Sequence, residues 1–200
     1  MNDTPRFDRP GSQWRIQQAA DLGWSYQTHD KATYDQWKDA SKSMGVQYGM
    51  RGTDFITGMA DDASFVAFED QGASRGLFWL AIGIRSAVDM PGLRMVAMFD
   101  GRPLRNKRIS LYAVSHGGYP PGDAYDIVPP DRTGTLTAWL AGQDQRMSYC
   151  HRNGWLWMNP AELLWAALDP DNFRQVLAVV PQRVRVLASL DNLLRQQAGI

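Results

Sequence analysis

The spacing of apolar and polar positions divides the chain into three stretches. In the first, apolar residues recur at helical intervals. Gln13 to Leu22 reads as a short helix ending at Gly23. Asp30 then stands as an N-cap before Tyr34, Trp37, Ser41 and Met44, with Gly45 as the stop and Lys31, Asp35, Lys38, Asp39 and Lys42 on the opposite face. In the second stretch the runs shorten to strand length. Ser64 to Glu69 is rich in β-formers. Leu77 to Ile84 is continuously apolar, as in a strand covered on both faces. Leu93 to Phe99 is stopped by Asp100-Gly101, and Ile109 to Val114 alternates in part. The connections are too short for parallel crossovers, so the pattern predicts an antiparallel meander over about 64–115.

Gly117 to Asp131 is rich in Gly, Pro and Asp and reads as the longest irregular segment. Leu136, Trp139 and Leu140 suggest a turn or two of helix. Asn153-Gly154 between Tyr149-Cys150-His151 and Trp155-Leu156-Trp157 is a hairpin signal. The third stretch is helical. Asn159-Pro160-Ala161-Glu162 has the form of a capping box, Asp169-Pro170 repeats the start signal, and Val180-Pro181 marks another break. The last helix carries Val186, Leu187, Leu190, Leu193 and Leu194 on one stripe. The predicted fold is α+β: a meander flanked by N-terminal helices and a C-terminal helical cluster over about 159–197. Residues 1–12 read as a loose tail and 13–200 as one domain.

Composition narrows the function classes. The 200 residues are 44% hydrophobic and 21% charged, with 21 cationic and 21 anionic side chains. That balance implies no broad basic coat for nucleic acid. Cys150 is the one cysteine, so no intrachain disulfide forms, and a cytoplasmic location is expected. The first residues carry no apolar signal-peptide core, and no apolar run approaches the ~20 residues of a membrane span, so no membrane association is expected. Eight tryptophans point to a bulky core or to a partner-binding surface, and glutamate occurs only at 69 and 162.

Candidate chemistry is sparse. Gly72-Ala73-Ser74-Arg75-Gly76 matches the nucleophile turn of α/β-hydrolases, and Ser115-His116-Gly117-Gly118 is similar to an esterase oxyanion loop. Their order is reversed from that family, and a strand-like run, not a helix, follows Ser74. Tyr48 to Thr53 resembles the arginine strand of ADP-ribosyltransferases, but the chain has no Glu-x-Glu. Cys150 and His151 are adjacent and would point to opposite faces of a strand, so no metal site is expected from them. Phosphate-cradling glycine motifs are missing from the sequence, and no cofactor is expected.

Three readings remain. The first is a non-catalytic accessory, inhibitor or immunity-type protein acting by protein–protein contact, with Trp155 and Trp157 among the contact residues; self-association is compatible with its zero net charge. The second is nucleic-acid binding through the basic turn that holds Arg102, Arg105, Lys107 and Arg108. The third is a small enzyme with His116 as acid or base and Asp123 or Asp126 as its carboxylate.

Overall fold

The computed structural model describes residues 12–46, 48–71, 77–90, 92–105, 109, 113, 119–160, 164–165 and 170–200. Side chains are described over the same ranges, apart from 12, 77–78, 160, 164–165 and 170–172.

The first helix, α1 (Ser12–Ala20), ends at Gly23, whose φ of +74° suits glycine. Helix α2 (Lys31–Ser43) starts where expected. The Asp30 carboxylate accepts from the Thr33 amide at 3.1 Å and the Thr33 hydroxyl at 2.7 Å. Tyr34, Trp37, Ala40 and Ser41 form its buried face.

Among the described residues, ten strands make one antiparallel sheet: β1 (Ser25–Gln27), β2 (Arg51–Ala60), β3 (Ala63–Gln71), β4 (Leu77–Arg85), β5 (Arg94–Phe99), β6 (Arg102–Pro103), β7 (Ala124–Val128), β8 (Met147–Arg152), β9 (Trp155–Pro160) and β10 (Leu164–Trp165). The principal order is β1-β2-β3-β4-β9-β8-β5-β6, with β7 on the other edge of β5 and β10 beside β4. The predicted class and its flanking helices are therefore present, but the meander is interrupted. The β8–β9 hairpin lies between β4 and β5, which are consecutive strands of the chain.

Among the described residues, three two-residue turns have positive φ at both positions: Asp61-Asp62, Asp100-Gly101 and Asn153-Gly154. This is the backbone that continues the right-handed strand twist through a tight hairpin, and Asp, Asn and Gly tolerate it best. Strand β2 escapes the sequence pattern because Gly52 and Gly58 interrupt its apolar run. Both make room for rings. A Cβ at Gly58 would lie 2.5 Å from Trp24, and one at Gly52 would lie 2.7 Å from Tyr34 and from Phe55.

Helix α3 (Thr135–Ala141) covers the predicted Leu136–Leu140 turns. The C-terminal helical part is a single 29-residue helix, α4 (Pro170–Ala198). Asn159-Pro160 ends strand β9 instead of capping a helix, because Asn159 pairs with Ser148 in the ladder. Pro181 lies inside α4 and does not end it. A proline in a helix interior, through its missing N–H and the clash of its ring with the preceding turn, costs about 3 kcal/mol. Fully burying Val180, Val184, Leu187, Leu190 and Leu194 contributes about 1.5–3 kcal/mol each, which outweighs that loss. Ile109 and Ala113, expected in a strand, are helical.

The sheet is covered on both faces. On one, α4 packs with Trp24, Phe65, Leu80, Ile82, Met95, Tyr149 and Met158. On the other, α2 packs with Phe55, Val66, Phe68, Val96, Cys150 and Trp157. No helix among the described residues is long and apolar enough to cross a membrane.

Candidate functional site

The tryptophans whose side chains are described divide between core and rim. Trp24, Trp37, Trp79 and Trp157 are buried. Trp14, Trp139 and Trp155 are half-buried. Trp157, expected at a contact surface, has no exposed area. It stacks at 5.5 Å from Trp155 and lies 5.5 Å from Trp37, so it anchors the α2 layer.

The basic turn is also rearranged. Arg102 is exposed on β6, but Arg105 is only 2% exposed and is removed from any surface finger. Its guanidinium pairs with Asp70 at 3.0 Å, donates to the Asn159 side chain, and lies 4.2 Å over the Trp79 ring. Asp70 is the hub of this network. It also accepts from the Gly49 amide at 2.7 Å, Tyr34 at 3.2 Å and the Trp37 indole at 3.1 Å. The cation is drawn inward because a fully buried carboxylate needs a counter-charge. Lys107, Arg108 and His116 lie outside the described residues. Asp123 is exposed and accepts from the Asp100 amide at 2.9 Å, which fixes the β5–β6 turn.

Asp126 belongs to a different arrangement. Strand register places Arg85 opposite Trp155, and Trp155 opposite Arg152. One strand further, Arg94 lies opposite Cys150, two positions from Arg152 on the same face. The result is a row across β4, β9, β8 and β5 on the α2 face of the sheet, at the C-terminal end of α2. The Arg85 guanidinium stands 4.3 Å from the Trp155 ring centroid. Arg94 donates to the Ser43 carbonyl at 3.0 Å and to Asp126 at 3.3 Å, so α2 and β7 both orient it. Arg85 and Arg152 are exposed, and Arg94 and Trp155 are half-buried.

Beside Arg94 and Arg152 opens a cleft of about 270 Å³, also lined by Ser43, Gly92, Val128 and His151. His151 is 2% exposed. Its ring lies beside the Val88 backbone without meeting hydrogen-bond geometry, and burial holds it below the ordinary imidazole range. It therefore adds no charge at neutral pH. Three guanidiniums, one indole and one carboxylate make this strip suited to holding an anionic group against a flat aromatic surface.

The strip was hidden in the sequence because its members are spread over 70 positions and only register unites them. Trp155 was the one member expected at a contact surface. The remaining signal was an arginine at a strand terminus in three runs: Arg85, Arg94 and Arg152. Among the described residues, no group of three His, Cys, Asp or Glu side chains converges as a metal site. No family model, curated protein or solved structure matches the chain.

Proposed function

We propose that this chain is a binding protein that acts by contact with another protein and takes an acidic surface of that partner on the Arg85–Trp155–Arg152–Arg94 strip. The observation that carries the reading is the strand register, which sets three guanidiniums and a half-buried indole in one row. Trp and Arg are the residue types that most often dominate binding energy at protein interfaces, where a rigid ring and a planar donor fork lose little entropy on contact. Neighbouring strands are about 4.8 Å apart, so four of them span roughly 15 Å, the scale of a hot-spot cluster rather than a track for a nucleic-acid backbone. Asp126 interrupts the row, and the balanced net charge supplies no wider basic field.

The test is a charge reversal at the exposed member. Tagged wild-type chain and its Arg152→Glu variant are used to co-purify partners from the native host, with nuclease added. The reading expects one protein enriched by the wild type at low salt and lost with R152E, while circular dichroism is unchanged. Equal recovery with both chains would refute use of the strip. In parallel, an anisotropy titration with short single-stranded and duplex oligonucleotides at ~50 mM salt is expected to show no binding. Binding that R152E abolishes would move the strip to nucleic acid.

A further inference from the structure

Strand register sets groups of opposite charge on either side of Arg94. Its strand β5 pairs Val96 with Asp126 of β7, and Arg94 itself with Val128 of β7 and Cys150 of β8. Asp126 therefore stands to one side of Arg94 along the strands, and Arg152 to the other, towards Gly92. All three side chains rise from the α2 face. One Nη of Arg94 donates to the Ser43 carbonyl at 3.0 Å, and the other reaches Asp126 at 3.3 Å. The second contact is longer than the ~2.8 Å of a tight charge-assisted bond. It joins side chains that keep 38% and 48% of their area exposed, and such pairs are readily exchanged for other partners. Among the described residues no carboxylate pairs with Arg152. The cleft opens on the Arg152 side of Arg94. Above Gly92 it is clear, since a Cβ there would meet nothing within 4 Å, and Val128 gives it an apolar wall. The Ser43 hydroxyl already donates to the Ala40 carbonyl at 2.7 Å. The charged donors beside the cleft are thus the two guanidiniums.

We propose that this cleft receives one carboxylate side chain of the partner, an aspartate or a glutamate, between Arg94 and Arg152, and that Asp126 is the internal competitor which Arg94 releases to take it. The inference rests on the contact surface proposed above and names its central contact. Asp126 itself shows that this end of Arg94 takes a carboxylate. An incoming carboxylate in the cleft meets two guanidiniums where Asp126 meets one, and its carbon stem lies over Gly92 and against Val128. The Ser43 carbonyl keeps Arg94 seated during the exchange. Asp126 turns to solvent from a position already half exposed, so little desolvation is reversed. The competitor also sets selectivity. A lone anion from solvent has to displace Asp126 unaided, whereas a carboxylate carried on a docked surface is held in place by the neighbouring Trp155 and Arg85 contacts.

The test titrates an acetylated triglutamate amide into ¹⁵N-labelled chain at about 20 mM salt, where surface charges are little screened. Backbone amides and arginine Nε–Hε cross-peaks are followed by NMR. The Gly92 amide and the Arg94 and Arg152 side-chain signals are expected to shift together, and Arg152→Glu to abolish the shifts. Asp126→Asn is expected to bind the peptide about three- to fivefold more tightly, the gain from removing an exposed ion pair as competitor. Asp39→Asn removes the same charge from the exposed side of α2, one turn before Ser43, and is expected to bind like the wild type. Asp126 and Asp39 are both exposed, so both variants are expected to keep the wild-type circular dichroism. No gain with D126N, or an equal gain with D39N, would overturn the exchange and leave the strip standing, because the shifts would still centre on Arg152. Shifts that ignore R152E, or none in wild type and D126N up to ~10 mM peptide, would remove the exchange and the strip together.

Discussion

Replacing Arg105 with methionine gives the sharpest measure of whether this side chain is a surface cation or an internal one. The wild-type guanidinium is 2% exposed and its partner carboxylate has no exposed area. Methionine fills similar length and keeps the contact with Trp79, so the loss is mainly electrostatic. Asp70 keeps its Gly49, Tyr34 and Trp37 donors but loses the Arg105 guanidinium, and the Asn159 oxygen loses the donor that Arg105 supplies. Stranding one member of a buried ion pair costs about 3–5 kcal/mol. At a urea slope of about 2 kcal/mol/M, that is a midpoint shift of roughly 1.5–2.5 M. Equilibrium unfolding at pH 7, followed by both tryptophan fluorescence and far-UV circular dichroism, measures it. Arg102→Met on the exposed β6 position is the internal control and is expected within ~0.5 kcal/mol of wild type. The cycle completed by Asp70→Asn and the double variant should give a coupling of at least ~1.5 kcal/mol, since the double variant leaves no stranded charge. An R105M cost below ~1 kcal/mol, indistinguishable from R102M, would refute the internal network.

Two further outcomes test the α2 layer. Gly83→Ala would place a methyl group 2.7 Å from the fully buried Trp157 ring, which Trp37 and Phe68 hold from other sides, so it is expected to destabilise by about 1–3 kcal/mol and to perturb the near-UV spectrum; a neutral substitution would contradict that packing. The Cys150 thiol is pushed up to about 12 by burial, so native protein is expected to resist aromatic disulfide reagents at pH 8, with a labelling rate that follows global unfolding as urea is added; full labelling within minutes in buffer would show an accessible thiol.

Local signals in the sequence mapped well onto local structure. The Asp30 cap, the Gly23 and Gly45 stops and the Asn153-Gly154 hairpin all act within a few residues, and each is found where its chemistry places it. Longer-range facts were not legible. Nothing in the run from Leu77 to Phe99 shows that a hairpin from residues 147–160 separates β4 from β5. The break expected at Pro181 is overridden by burial of Val180 and Val184, a tertiary effect. The binding strip suffered in the same way. Arg105 sits in an obvious basic run but is consumed by Asp70, whereas Arg85, Arg94 and Arg152 look unremarkable one at a time and gain meaning only from their register. Asp54, buried where the register of β2 slips and joined to Arg15 and Tyr26, gave no sequence signal, because a bulge cannot be read from a single strand.

The placement of the 147–160 hairpin also bears on synthesis. During elongation the ribosome releases β4 about 70 residues before its neighbour β9 exists, and β5 waits about 50 residues for β8. Two long apolar ribbons thus emerge with naked rims, the state in which nascent chains most readily stick to one another. Completion of this sheet is a late, C-terminally triggered event, and a premature stop just upstream of residue 147 yields a fragment in which β4 and β5 each lack the neighbour that the hairpin supplies on one edge.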